Sequence, residues 1–183
     1  QIALIASQAC GALYDLLLNV SLVLDGEMLL PILRDIAQGM RFLHAAEPQI
    51  IHGDLKCANV LVDSNFRAKV SDFGFTQKRH LRKNKAVGTP YWMSPELLLG
   101  TSLNTAASDA YAFGIVLYEV FSRNEPYEGE DTDMVLKGVA DINVRNRPPV
   151  TPNCPAEAAS IMKPCLKHAP DERQPLEDID VRL

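Results

Sequence analysis

The chain has 183 residues, of which 47% are apolar and 22% are charged. This length suits one domain, and this composition excludes an intrinsically disordered chain. The formal net charge of −5 argues against nucleic acid as the main partner, because a phosphate backbone attracts a basic surface. The four cysteines form no C-x-x-C pair, which favours reduced thiols in the cytoplasm over a disulfide framework.

An apolar stretch occupies the first part of the chain, from Ile2 to Leu24. Asp15 and Asn19 lie inside it, and Gly11 interrupts it. No basic residue precedes it, so it suits neither a membrane span nor a signal peptide. We interpret it as a buried segment of a water-soluble fold, with no membrane segment in this chain.

Hydrophobic spacing predicts helices over much of the chain. A short helix is expected over Gly11–Leu18, and a longer one over Glu27–Ala45 with Asp25 as its N-cap. The segment Ala106–Phe121 is apolar on most sides, which is typical of a central buried helix. Further helices are predicted at Thr132–Ala140, Ala156–Leu166 and Leu176–Arg182.

Short β-branched runs follow the long predicted helix. Val60–Val62 and Ala68–Val70 flank the turn signal Asp63-Ser64-Asn65, which predicts a small hairpin. From Ser71 to Pro95 the sequence is polar and irregular, and such a long loop within a domain is usually functional or disordered. The expected fold class is α+β, mostly α.

Polar motifs flank this hairpin. His52-Gly53-Asp54-Leu55-Lys56-Cys57-Ala58-Asn59 precedes it, and Asp72-Phe73-Gly74 follows it. Phosphoryl transfer from a nucleotide needs a carboxylate to orient a hydroxyl, hard oxygen ligands for magnesium and a cation near the γ-phosphate. The hairpin should bring the two motifs together at one edge. They offer a carboxylate on Asp54, a cation on Lys56, and oxygen ligands on Asn59 and Asp72.

These motifs resemble the protein-kinase catalytic loop H-R-D-L-K-x-x-N, followed by D-F-G and A-P-E. The third motif is Ser94-Pro95-Glu96 here, with serine in place of the usual alanine. Asp109, in the run Ser108–Gly114, matches the aspartate that begins the family's central helix and braces the catalytic loop. Arg173 matches the partner of the A-P-E glutamate, and the resemblance covers about Gly11–Leu183.

The resemblance implies a kinase-like C-terminal lobe in which the hairpin carries the catalytic loop. Asp54 would be the catalytic base, Lys56 would contact the γ-phosphate of ATP, and Asn59 and Asp72 would hold Mg²⁺. Lys56 and the run Gly88–Glu96 are similar to those of serine/threonine-specific members, in the tyrosine-kinase-like group. Structural or activation-segment roles would fall to His52, Phe73, Gly74, Thr89, Glu96, Asp109 and Arg173.

The chain departs from the family pattern in two respects. Gly53 replaces an arginine that often pairs with a phosphate on the activation loop, so activity should not depend on that switch. No G-x-G-x-x-G loop or V-A-I-K-type lysine precedes Gly11. We therefore expect residues 1–183 to be a single partial kinase domain, hinge region and C-terminal lobe, with the N-terminal lobe absent and little activity alone.

The predicted activation segment carries basic residues and two candidate phosphosites. The basic run is either a solvated face or a surface that favours acidic peptides. Thr76 and Thr89 are the candidate phosphosites, and Thr89 has substrate recognition as an alternative role. The basic residues are Lys78, Arg79, Arg82, Lys83 and Lys85.

Two functions of different classes remain open. The first is an active serine/threonine kinase that phosphorylates proteins, and the second is a pseudokinase-like scaffold or binding module. The intact Asp54 and Asp72 favour the first, whereas the missing upper lobe favours the second. A metal-dependent nuclease or phosphatase would leave Ser94–Glu96 and Arg173 unexplained. The sequence does not specify an oligomeric state.

Overall fold

Helices dominate residues 9–72 and 88–179, which are the residues described by the computed structural model. Three short strands accompany the helices: β1 (Ala9–Ala12), β2 (Val60–Asp63) and β3 (Ala68–Val70). The α-helices are α1 (Leu13–Leu18), α2 (Gly26–His44), α3 (Pro95–Leu98), α4 (Ala106–Ser122), α5 (Thr132–Ala140) and α6 (Ala156–Cys165). Short 3-10 turns lie at Cys57–Asn59, Pro90–Trp92, Pro170–Glu172 and Leu176–Asp178.

The predicted hairpin is confirmed as β2 and β3, which are antiparallel. Asp63 stabilises the turn between them, because its Oδ1 accepts the N–H groups of Asn65 and Arg67 at 2.8 and 3.0 Å. Strand β1 was not predicted, and it pairs with β2 on the side away from β3. The helix expected from Gly11 therefore begins two residues later, because Gly11 and Ala12 pair with β2.

Helix α2 confirms the long predicted helix within one residue at each end. Asp25 is its N-cap, as predicted, and accepts the N–H of Met28 at 3.1 Å. The apolar side chains at helical spacing are buried and join the core shared with α4. They are Leu29, Ile32, Leu33, Ile36, Ala37, Met40 and Leu43.

Helix α4 is the buried central helix that the sequence predicts, and it ends one residue beyond the predicted span. Thr105 and Ser108 form a reciprocal capping box at its start, in which each side chain accepts the other residue's N–H. Asp109 follows in the first turn, and Glu119 lies near the end, both buried. The helix therefore carries two acidic side chains into the interior.

The remaining helix predictions agree with the structure except at the end of the described chain. Helix α5 is confirmed, and α6 ends one residue before the predicted Leu166. The α-helix predicted over Leu176–Arg182 is wrong where it is described, because only a 3-10 turn forms at Leu176–Asp178 after Pro175. Across 9–72 and 88–179, no helix combines the length and apolar character needed to cross a membrane.

Candidate active site

Asp54 is a buried carboxylate whose two oxygens both have donors nearby. Oδ1 accepts the N–H and the hydroxyl of Thr89, at 2.9 and 2.8 Å. Oδ2 accepts the side-chain amide of Asn59 at 3.1 Å and lies 3.4 Å from the ammonium of Lys56. Lys56 also donates to the Thr89 hydroxyl oxygen at 2.7 Å. These three residues fix the orientation of the Asp54 carboxylate.

Asn59 is held so that its amide oxygen points away from Asp54. Its Nδ2 donates to the carbonyl and the Oδ2 of Asp54, at 2.7 and 3.1 Å. Because both partners are acceptors, the amide nitrogen of Asn59 is assigned to the side that faces Asp54, and the amide oxygen is assigned to the opposite side. An oxygen at this position suits a hard cation such as Mg²⁺.

Ser71, the residue before Asp72, holds this part of the chain next to Asn59. Ser71 donates both its N–H and its hydroxyl to the Asn59 carbonyl, at 2.9 Å each. Asp72 follows with an exposed side chain and a left-handed φ of 61°. The hairpin thus returns the chain to Asn59, as the sequence predicts. Phe73 and Gly74, the other two residues of this motif, lie outside the described residues.

Asp109 braces the backbone that leads into Asp54. Its Oδ2 accepts the N–H of His52 and its Oδ1 accepts the N–H of Gly53, both at 2.8 Å. His44 of α2 also contacts Oδ2 through Nε2, at 2.9 Å. The carboxylate is 1% exposed, so these polar contacts offset the cost of burying it.

His52 connects the two motifs from inside the fold. The N–H of Asp54 donates to its Nδ1 at 3.2 Å, so Nδ1 is unprotonated. Its Nε2 therefore carries the hydrogen and donates to the Ser71 carbonyl at 2.9 Å. This places the side chain between the segment before Asp54 and the segment before Asp72.

Gly53 lies in a conformation that favours glycine, with a φ of 80°. Its carbonyl accepts the side-chain amide of Asn104 at 3.2 Å. A Cβ at this position would lie 3.3 Å from that amide nitrogen. The position is therefore constrained both by backbone conformation and by a close neighbour.

Glu96 and Arg173 form a two-bond ion pair below the site. The distances are 2.7 Å from Nη1 to Oε1 and 2.6 Å from Nη2 to Oε2. Burial opposes ionisation of Glu96, but the guanidinium and the Ser94 hydroxyl outweigh it, so the pKa of Glu96 lies below its usual value. Arg173 also donates to three carbonyls, those of Ala107, Lys167 and His168.

Sequence reasoning missed one buried acid beside these residues, Glu119. Its Oε2 accepts the N–H of Cys57 at 3.2 Å and the indole N–H of Trp92 at 2.7 Å. The available signal was an acidic residue far from the N-terminus of a helix that is apolar on most sides. The predicted basic run and the candidate phosphosite Thr76 lie outside the described residues.

Three relatives from Dictyostelium discoideum illustrate what the chain is similar to. It is 38% identical to "Probable serine/threonine-protein kinase drkC" over 94% of this chain and 23% of that protein. It is 37% identical to "Probable serine/threonine-protein kinase drkA", covering 94% of this chain and 27% of that protein. It is 38% identical to "Dual specificity protein kinase shkD", covering 82% of this chain and 20% of that protein.

The chain thus spans about a quarter of the length of these relatives. The family model described as "Protein tyrosine and serine/threonine kinase" matches residues 2–183. That match covers nearly the whole chain, including the segments around Asp54, Asp72 and Glu96. The chain therefore belongs to the protein tyrosine and serine/threonine kinase family.

Proposed function

We propose that these residues catalyse phosphoryl transfer from ATP to serine or threonine hydroxyls of proteins. The observation that carries this proposal is the Asp54 carboxylate, buried and oriented by Thr89, Asn59 and Lys56. A fixed carboxylate beside a cation and an amide oxygen is the donor set that this reaction needs. Serine/threonine or dual specificity in the names of the relatives supports the same reaction class.

Asp54 would act on the acceptor hydroxyl. A carboxylate that accepts a hydrogen bond from the hydroxyl can align its oxygen for in-line attack on the γ-phosphorus of ATP. It can take the hydroxyl proton as the new O–P bond forms and the bond from that phosphorus to ADP breaks. Thr89 restricts the carboxylate to one orientation, because it donates twice to the same oxygen. That fixed orientation reduces the reorganisation needed when a substrate binds.

Lys56 would stabilise negative charge on the transferred phosphoryl group. Its ammonium is partly exposed, with 22% of the side chain accessible, and it is already held beside Asp54 and Thr89. A cation in a fixed position near a developing charge lowers the barrier without reorganising. Lys56 therefore has access to a bound phosphate while remaining close to the proposed base.

Asn59 and Asp72 would hold Mg²⁺. The amide oxygen of Asn59, which faces away from Asp54, and the exposed carboxylate of Asp72 are both hard ligands, and Ser71 keeps the two residues near each other. When bound, the ion would supply positive charge that offsets the negative charge of the nucleotide phosphates. These two side chains thus fit the cofactor that the resemblance implies.

We also propose that residues 1–183 form one partial kinase domain, the hinge region and C-terminal lobe. The support is that the sequence contains neither a glycine-rich G-x-G-x-x-G loop nor a V-A-I-K-type lysine. Activity is therefore to be tested in the full-length protein that contains these residues.

The test is phosphate incorporation from labelled ATP into a serine-containing protein substrate. Asp54→Asn in the full-length protein should lower the rate by about 10² to 10⁴-fold, because an amide cannot accept the proton. Asp171→Asn is the matched control, since Asp171 is exposed on a 3-10 turn. The control should retain the wild-type rate.

Equal incorporation by wild type and Asp54→Asn would contradict Asp54 as the base. No incorporation by the wild type, with or without Mg²⁺, would favour the scaffold function instead. Asp72→Asn distinguishes the metal site, because it should raise the Mg²⁺ concentration needed for half-maximal rate.

A further inference from the structure

Glu119 joins two turns that carry partners of the proposed base. Its Oε2 accepts the N–H of Cys57, at the start of the turn that ends at Asn59. The same oxygen accepts the indole N–H of Trp92, at the end of the turn that follows Thr89. One oxygen on the central helix therefore links the catalytic loop to the segment that contacts it.

The other carboxylate oxygen of Glu119, Oε1, does not link these two turns. Glu119 is 2% exposed, and among the described residues its Oε1 has no hydrogen-bond partner. Burial raises the pKa of Glu119 to about 7, against the opposing effects of Trp92, Cys57 and the Lys56 ammonium. Oε1 is thus the atom on which a proton can reside without displacing either N–H donor.

Three titratable groups from neighbouring elements act on this carboxyl. Lys56 favours the charged form. Burial raises the pKa of the Cys57 thiol well above its usual value, so this thiol stays neutral. On α1, the hydrogen bond to Glu125, burial and, to a lesser extent, Glu119 raise the pKa of Tyr14, which also stays neutral. Glu119 is therefore the member of this group that changes charge near neutral pH.

We propose that Glu119 is a positioning residue that holds the two turns together when ionised and loosens them when protonated, which rests on the proposed function. Hydrogen bonds to an ionised carboxylate are shorter and roughly twice as strong as those to a neutral group. Loss of the proton from Oε1 to solvent strengthens both bonds to Oε2. Deprotonation thereby fixes Asn59 and Thr89 more firmly around Asp54.

Glu119→Gln is the variant that isolates the charge. The amide oxygen can still accept both N–H groups, so the variant imitates the protonated state without leaving a cavity. Glu128→Gln is the matched control, because Glu128 is exposed just beyond the buried Tyr127. A purely structural contact would be retained in both variants at every pH.

The first measurement does not depend on activity. Trp92 is the single tryptophan of these 183 residues, and its indole donates to the carboxylate directly. In the full-length protein labelled with 5-fluorotryptophan, its ¹⁹F signal is assigned by its loss in Trp92→Phe. The signal should titrate near pH 7 in wild type and Glu128→Gln but not in Glu119→Gln. A flat wild-type signal between pH 5.5 and 8.5 would overturn the inference.

The second measurement follows kcat over the same pH range. The ratio of wild type to Glu119→Gln should rise about fivefold through neutrality, while the KM for ATP stays the same in both. A ratio that does not change with pH would overturn the positioning role even if Trp92 titrates. No transfer at any pH would count against the proposed function, and the ¹⁹F titration would still decide whether the proton link exists.

Discussion

Gly53 lies immediately before Asp54, and its backbone is held on both sides. Its N–H donates to Asp109 and its carbonyl accepts from Asn104. The φ of 80° is in the left-handed region, where a side chain is strained. Glycine here reduces the strain of the loop, and it also removes any side chain that could contact an activation-loop phosphate.

Gly53→Ala should therefore destabilise the protein by about 1 to 2 kcal/mol. The added Cβ forces a left-handed alanine and lies 3.3 Å from the Asn104 amide nitrogen. The measurement is chemical unfolding of both proteins. Gly26→Ala is the control, because Gly26 begins α2 and has open space around a Cβ. Equal stability of Gly53→Ala and wild type would show that the loop relaxes at no cost.

The order and spacing of the motifs predicted that the hairpin returns the chain to Asn59 just before Asp72, but they did not predict that Thr89 contacts Asp54. Contacts between segments that are far apart in sequence were harder to predict. His44 reaches Asp109 across 65 positions, and neither residue type identifies the other in advance. Glu119 was missed for a similar reason, since an acid within an apolar helix does not reveal which N–H groups of other segments it will face.

The pair of Glu96 and Arg173 joins elements that are far apart in sequence. Glu96 lies on α3 and Arg173 follows the 3-10 turn Pro170–Glu172. Both are substantially buried, with side-chain exposures of 11% and 0%. Because the pKa of Glu96 is lowered, its contribution to stability is present above its unfolded pKa of about 4.5 and is lost as the pH falls through the folded value.

Arg173→Ala should cost about 3 to 5 kcal/mol in the free energy of unfolding, since it removes a fully buried guanidinium that pairs with Glu96 and donates to three carbonyls. Arg67→Ala is the matched comparison. Arg67 also makes two bonds to one carboxylate, at 2.8 Å each to Asp35, but its side chain is 62% exposed. Its removal should cost about 1 kcal/mol or less, because water can replace an exposed guanidinium and the Asp35 carboxylate, which is 8% exposed, keeps the Ala68 N–H at 2.9 Å. Similar losses for the two variants would contradict the importance of burial.

Element boundaries followed the sequence in the two long helices, where α2 has a periodic apolar face and α4 is apolar on most sides. The boundaries of the short elements did not follow the sequence pattern. Strand β1 contains Ala9–Ala12, which has no β-branched residue, and it forms because β2 offers it a free edge. The 3-10 turn at Leu176–Asp178 follows Pro175 and ends at Ile179, whose backbone is extended, so no α-helix continues there.

At the scale of the whole molecule, Glu119 makes the free energy of unfolding depend on pH. The folded pKa of Glu119, about 7, lies above the unfolded value of about 4.5 because of burial. A raised carboxyl pKa contributes stability that is fully present below the unfolded value and is lost as the pH rises through the folded value. Ionised Glu119 therefore strengthens local hydrogen bonds while it lowers the free energy of unfolding.

The difference in free energy of unfolding between wild type and Glu119→Gln should fall by about 2 to 3 kcal/mol from pH 4.5 to 7.5. Glutamine has no proton to lose, so the effects of other groups cancel in the difference. Denaturant unfolding at several pH values measures it. A difference that stays constant, or grows with pH, would show that the carboxyl does not titrate in this range.

The most direct test of the central claim compares transfer and nucleotide affinity in one variant, Asp54→Asn of the full-length protein. Single-turnover phosphorylation should fall by at least about 100-fold, whereas the Kd for Mg·ATP should stay within about twofold of wild type. That combination places the defect at the acceptor hydroxyl. Unchanged transfer, or an equal loss of transfer and nucleotide binding, would contradict Asp54 as the base.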